Sequence, residues 1–198
     1  MTDFFEVAAR QRACRDFTDE PVDDGQLAAV LRAATFAPSA ENRQPWEFVI
    51  VRDQARRQAI GDLMTRAWES GGRASSAQRL SARMVADVEH GVTGGFARAP
   101  VMIVVGADTA RALEATVPSS IFPAVQNMLL AAGALGLGSA LTTIATGYRE
   151  ELQVLLGLPS HVWPMAVVPV GHPARPLKPP RREPLEGHAH REQYGRTW

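Results

Sequence analysis

Arg12 and Arg15 stand three residues apart in Gln11-Arg12-Ala13-Cys14-Arg15-Asp16-Phe17, where a short helix gives way to a turn. Both side chains can point the same way, and two guanidinium forks converging on one spot suit a phosphate. An ordinary pair of surface arginines fits the same residues, so this segment alone leaves both readings open. A second segment, Ala37-Pro38-Ser39-Ala40-Glu41-Asn42-Arg43-Gln44-Pro45-Trp46, sets small and polar residues between two prolines. Such a loop is rigid and carries little bulk, so its backbone can approach a flat aromatic cofactor closely. That is more than a plain helix-to-strand connection requires. The third segment is Gly136-Leu137-Gly138-Ser139-Ala140-Leu141-Thr142-Thr143, with Arg182 far downstream. Thr142 and Thr143 offer amides and hydroxyls to a ring edge, and Arg182 offers the phosphate a third cation.

Other chemistries find little support. The glycines of Gly133-Ala134-Leu135-Gly136-Leu137-Gly138 close a helix and lead into a strand, whereas a dinucleotide fingerprint follows a strand and opens a helix. There is no phosphate loop ending in Gly-Lys-Ser/Thr, and Ser39 lacks the context of a nucleophile elbow. His188 and His190 alternate in a polar tail without carboxylate or thiol partners at metal-ligand spacing, so no metal is expected. His90, His161 and His172 form no triad pattern. Side chains this poorly equipped for chemistry point to a borrowed cofactor.

The 198 residues suffice for one sizeable domain, and 45% hydrophobic with 21% charged residues is ordinary for a soluble globular chain. Formal net charge is zero, so nothing global attracts nucleic acid or an anionic membrane. The small basic clusters Arg56-Arg57 and Arg181-Arg182 read as solvated faces. The lone cysteine, Cys14, excludes an internal disulfide and suits a reducing compartment. No signal peptide is visible, and the longest apolar run, Met128 to Leu141, is too short to cross a bilayer. A soluble cytoplasmic protein is expected.

Around the three segments the periodicity predicts short helices opened by Asp3/Glu6 and Asp23/Gln26 capping boxes, the second burying Leu27, Val30, Leu31 and Ala34. A strand is expected at 46–51, a helix over 53–68, a mobile Gly/Ser loop or lid at 69–80, and a helix over 82–90. A strand buried on both faces follows at 101–105, then a helix from Pro123 to Leu135. A short strand at 139–143, a helix over 148–156 and a strand over 163–170 complete the order. Residues 171–198 contain Pro173, Pro176, Pro179, Pro180 and Pro184 with little apolar periodicity, and read as a disordered end or an arm along a partner. The class is α+β, a single domain over 1–198 with helices around a small central sheet.

The Arg-rich turn ending in Arg-x-Phe, the Ala-Pro-Ser-Ala-x-Asn-x-Gln-Pro-Trp loop, and Val125-Gln126-Asn127 leading to Leu135-Gly136-Leu137-Gly138 together resemble the nitroreductase family over about residues 4–186. The resemblance implies an intertwined homodimer with two FMN sites at its interface and a C-terminal arm embracing the partner. It implies that Gln11, Arg12, Ala13 and Arg15 hold the phosphate and ribityl region. Pro38, Ser39, Ala40 and Asn42 would reach the same flavin from the other subunit, Leu141, Thr142 and Thr143 would flank the ring near N5, and Arg182 would bind phosphate. Gln11 and Ala13 depart from the Arg and Ser common in the family, removing one cation and one hydroxyl from the phosphate end. Of the family's further polar contacts none is identifiable, although Arg79 and Arg83 are candidates. The implied reaction passes hydride from NAD(P)H to the flavin and on to a small aromatic acceptor, a nitroaromatic or quinone, in ping-pong order without an acid–base residue. The alternatives are a dehalogenase, ring-dehydrogenase or flavin-destroying relative, and a flavin store or sensor without turnover.

Overall fold

The computed structural model describes residues 3–198. Asp3 opens α1 (Phe4–Arg10), its carboxylate accepting from the amides of Phe5 and Glu6 at 2.9 and 3.1 Å. Glu6 turns instead to Arg10 at 2.7 Å, so this capping box is half closed. Asp23 closes a complete one on α2 (Asp24–Thr35). The Gln26 amide donates to Asp23 at 2.8 Å and the Asp23 amide donates to the Gln26 side chain at 3.4 Å. Leu27, Val30 and Ala34 are buried, and Leu31 packs partly buried against the same core. β1 (Trp46–Val51) and α3 (Gln54–Ala67) follow, the helix capped by Asp53.

The segment read as a loop at 69–80 is largely helical. A π turn at Trp68–Gly72 runs into α4 (Arg73–Ala77), and α5 (Ala82–His90) comes after it. Composition misleads here because Trp68, only 2% exposed, anchors the turn in the core. Its indole donates to Glu89 at 3.1 Å, and Arg73 donates to the same carboxylate at 2.9 Å. Gly71, at φ 142°, makes the bend that a side chain would resist. The Trp68 indole, then Arg73, hold the Glu89 carboxyl below its ordinary range. A carboxylate with a lowered folded pKa contributes stability above the ordinary value, and loses it as pH falls through the lowered one.

β2 (Val101–Asp108) is buried along nearly its whole length. α6 (Val117–Ala134) begins six residues before the expected start, with Pro118 in its first turn and Pro123 inside. An interior proline costs about 3 kcal/mol, yet the helix continues because Ile121, Ala124, Val125, Met128, Leu129 and Ala132 are all buried. The expected strand at 139–143 is reduced to β3 (Gly138–Ser139). Ala140 donates to the Pro169 carbonyl at 3.3 Å, but proline has no N–H to return, and pairing resumes only at an isolated Thr142–Val167 bridge. α7 (Arg149–Leu156) and β4 (Val162–Gly171) complete the elements that carry the site.

The four strands lie in the order β1-β2-β4-β3, all antiparallel. Residues alternate across β2. Val101, Ile103 and Val105 face a core with α2 and α6, while Met102 and Val104 face a second core with α3 and α5. The expected α+β class is borne out. Among the described residues no helix is long and apolar enough to cross a membrane, and no cluster of His, Cys, Asp and Glu is placed to hold a metal.

Candidate functional site

Residues 11–18 leave α1 in extended form and are gripped on two sides. Ala13 bridges Ser139, with the Cys14 amide donating to the Ser139 carbonyl at 2.9 Å. On the other side the Thr18 amide donates to His172 at 2.9 Å and the Ala174 amide donates to Asp16 at 3.0 Å. The segment is therefore fixed between the glycine turn after α6 and the chain leaving β4. Cys14 points into the core, 1% exposed, and burial pushes its thiol pKa up. It serves as packing under the turn.

An open groove lies on this segment. Arg12, Ala13 and Arg15 line it from one side, Arg83 and Asp87 from α5, and Arg175 and Lys178 from the chain after β4. Five cations thus face two carboxylates, Asp16 and Asp87. Arg15 is partly buried and donates to Asp87 at 2.8 Å, which fixes its direction and offsets its charge. Arg12 donates to the Lys178 carbonyl at 3.0 Å and also lines a neighbouring groove with Gln11, Gly138 and Ser139. An anion with a phosphate-like charge is the ligand such a field selects.

The expected residues do not all meet here. Leu141 and Thr143 are exposed close by along the chain, but the Thr142 amide donates to Val167 at 3.0 Å and its hydroxyl accepts from Ile144 at 3.3 Å. Both backbone groups of Thr142 are thus paired with Val167, while its hydroxyl keeps a proton to donate. Arg182 is exposed, donates to the Arg181 carbonyl at 3.2 Å, and lines neither groove. Of the two further candidates, Arg83 lines the cationic groove, whereas Arg79 bonds back to the Ser75 carbonyl. Sequence reading missed Arg175, Lys178 and Asp87. The first two sit between prolines in Pro173-Ala174-Arg175-Pro176-Leu177-Lys178-Pro179, a stiffness that could have flagged them; for Asp87 there was no local signal.

Pro38, Ser39, Ala40 and Asn42 lie at the opposite end of α6, about 27 Å away along that 18-residue helix. Their loop is strained. Glu41, Asn42 and Gln44 have φ of 53°, 54° and 50°, which costs roughly 1 kcal/mol or more per non-glycine residue. It is held by the Gln44 amide donating to the Ser39 hydroxyl at 3.0 Å and the Ala40 amide donating to Ser120 at 3.1 Å. Ser120 is fully buried and its hydroxyl donates to the Thr116 carbonyl at 3.0 Å. Ser120→Ala removes the acceptor under a strained loop, and is expected to cost about 1–3 kcal/mol of unfolding free energy. Urea denaturation reads this directly, and an unchanged midpoint would contradict it.

The family model described as Nitroreductase family matches residues 8–172. A protein of Thermus thermophilus described as NADH dehydrogenase is 32% identical, covering 91% of each chain. The chain belongs to the nitroreductase family. The FMN reductase [NAD(P)H] of Bacillus subtilis is 29% identical over 98% of this chain and 75% of its own length. A solved structure described as a putative nitroreductase in complex with FMN, from Desulfovibrio desulfuricans, superposes with TM-score 0.75 at 28% identity, covering 98% of this chain and 99% of its own. The four-stranded sheet and its helices are thus the nitroreductase fold, and in this nitroreductase the cationic groove occupies the seam where three separate stretches of chain converge.

Proposed function

We propose that this chain is an FMN-dependent oxidoreductase that passes two electrons as hydride from NADH or NADPH to a small aromatic acceptor, a nitroaromatic or quinone, in a ping-pong cycle. The observation that carries the reading is the cationic groove at residues 12–15, joined through the Ala13–Ser139 bridge to the exposed Leu141 and Thr143. A phosphate-bearing ring compound fits it, with charge at one end and an accessible ledge at the other. Bound FMN supplies the redox chemistry. The residues of the chain bind and orient. Arg12 takes the phosphate, Asp87 fixes the Arg15 guanidinium against the groove, and Leu141 and Thr143 border the ring and limit water. The names of the relatives, an NADH dehydrogenase and an FMN reductase [NAD(P)H], support the same donor.

The working unit in this reading is a homodimer. The strained Pro38–Asn42 loop stands too far along α6 to complete its own chain's groove, and a second copy brings it to the site. Phe5, Phe36, Leu185 and Trp198 leave between 62% and 79% of their surface exposed, apolar area that a partner would cover. Residues 171–198 act as the arm that does part of this covering, and the buried single thiol suits a cytoplasmic setting. Initial rates measured against both substrates test the cycle. Parallel double-reciprocal lines are expected, with flavin released on denaturation having the mass of FMN; intersecting lines would overturn the ping-pong order.

A further inference from the structure

Resting on the homodimeric FMN reading, we infer that Glu41 is a specificity-determining residue that turns away acceptors carrying negative charge, with Arg43 beside it setting how strongly. The loop that carries both holds Glu41, Asn42 and Gln44 in left-handed backbone, at φ of 53°, 54° and 50°. Glycine adopts this conformation freely, so the loop keeps side chains where a less strained residue was open to it. Strain of this kind gathers at ligand clamps, where the surrounding structure over-determines the backbone. The surroundings here do so. The Ala40 amide donates to the buried Ser120 hydroxyl at 3.1 Å, and the Gln44 amide donates to the Ser39 hydroxyl at 3.0 Å. The Gln44 side chain donates in turn to the Asn42 side-chain oxygen at 3.2 Å.

Those bonds engage Ser39, Asn42 and Gln44 within the loop and leave a charged pair at its surface. The side chains of Glu41 and Arg43 are 69% and 60% exposed, and the Arg43 Nε meets a Glu41 carboxylate oxygen at 3.1 Å. Both line a groove whose other wall is Arg111, Leu113 and Thr116, on the chain between β2 and α6. Leu113 is exposed and Arg111 stands 3.8 Å from Glu47. Ala40 and Asn42 are loop residues that the second copy carries to the flavin. Glu41 stands between them, so its carboxylate arrives at the mouth of that site with the groove wall behind it. Covering by the partner removes water from the pair, and a carboxylate so placed acts on a neighbouring charge more strongly than at a free surface. A ring bearing a carboxylate is repelled, while a neutral or cationic ring is admitted. Arg43 offsets part of this field because its guanidinium lies against the carboxylate.

The test is steady-state turnover of the FMN-loaded full-length protein, with NADH or NADPH as donor, against nitrobenzene, 4-nitrobenzoate and a 4-nitrobenzyl trimethylammonium salt. The readout is kcat/KM for each charged acceptor divided by that for nitrobenzene. E41Q is expected to raise the 4-nitrobenzoate ratio by about five- to tenfold and to lower the ammonium ratio, with the change mainly in KM. R43Q should move both ratios the opposite way by about threefold, a reversal that damage to the loop does not produce. D62N removes the same charge from the exposed face of α3 and should leave both ratios in place. Added salt should shrink the difference between E41Q and the parent protein. Ratios unchanged in E41Q, ratios moving the same way in E41Q and R43Q, or an equal shift in D62N would overturn the inference and leave the FMN reading standing. A wild-type protein whose bound flavin neither nucleotide reduces would overturn both.

Discussion

Arg12→Glu lowers FMN affinity by about 10²- to 10⁴-fold while riboflavin binding changes little, because the substitution removes two things at once. The guanidinium lines the groove, where the proposed function makes it a phosphate donor, and it ties the C-terminal segment down through the Lys178 carbonyl at 3.0 Å. Each charge-assisted hydrogen bond is worth about 1.5–3 kcal/mol, and a carboxylate in its place adds repulsion to the loss. Fluorescence titration against both flavins measures the effect. Equal losses for FMN and riboflavin would mean that Arg12 acts on folding rather than on the phosphate.

Gly95→Ala destabilises the fold by about 3 kcal/mol or more and misplaces Arg15. A β-carbon at position 95 would overlap the Arg15 carbonyl oxygen and stand 2.7 Å from that of His90. Both obstacles are backbone and neither can swing aside, so the α5 exit or the Arg12–Asp16 segment must move. The same substitution at Gly147, where a β-carbon meets nothing within 4 Å, should stay within roughly 0.5 kcal/mol. Thermal and urea unfolding of the two variants side by side give the comparison. Similar midpoints would show that the turn at 91–95 is looser than its contacts indicate.

The elements legible in the sequence are those whose signal is local. The Asp23–Gln26 box, the continuous apolar run of β2 and the Pro38–Trp46 loop each follow from a few adjacent residues. What was misread depended on distant partners. Pro123 looks like a helix start until the buried face of α6 is seen to continue on both sides of it. The Gly/Ser stretch at 69–80 looks mobile until Trp68 and Arg73 are seen to meet Glu89 on α5. The site divides in the same way. Arg12 and Arg15 announce themselves by spacing, but Asp87 lies 72 residues away from Arg15 in the chain, and only folding pairs them. Arg182 was singled out by its resemblance to a motif, whereas Arg175 and Lys178 reach the groove because the backbone after β4 is laid along residues 12–18.

In its proposed function this nitroreductase carries hydride through FMN. Anaerobic stopped-flow absorbance on the purified protein tests it most directly. Rapid bleaching of the flavin band by NADH or NADPH, followed by its return on mixing with a nitroaromatic or quinone, is the result expected. Bound FMN that neither nucleotide reduces would contradict the oxidoreductase reading and make the protein a holder of flavin.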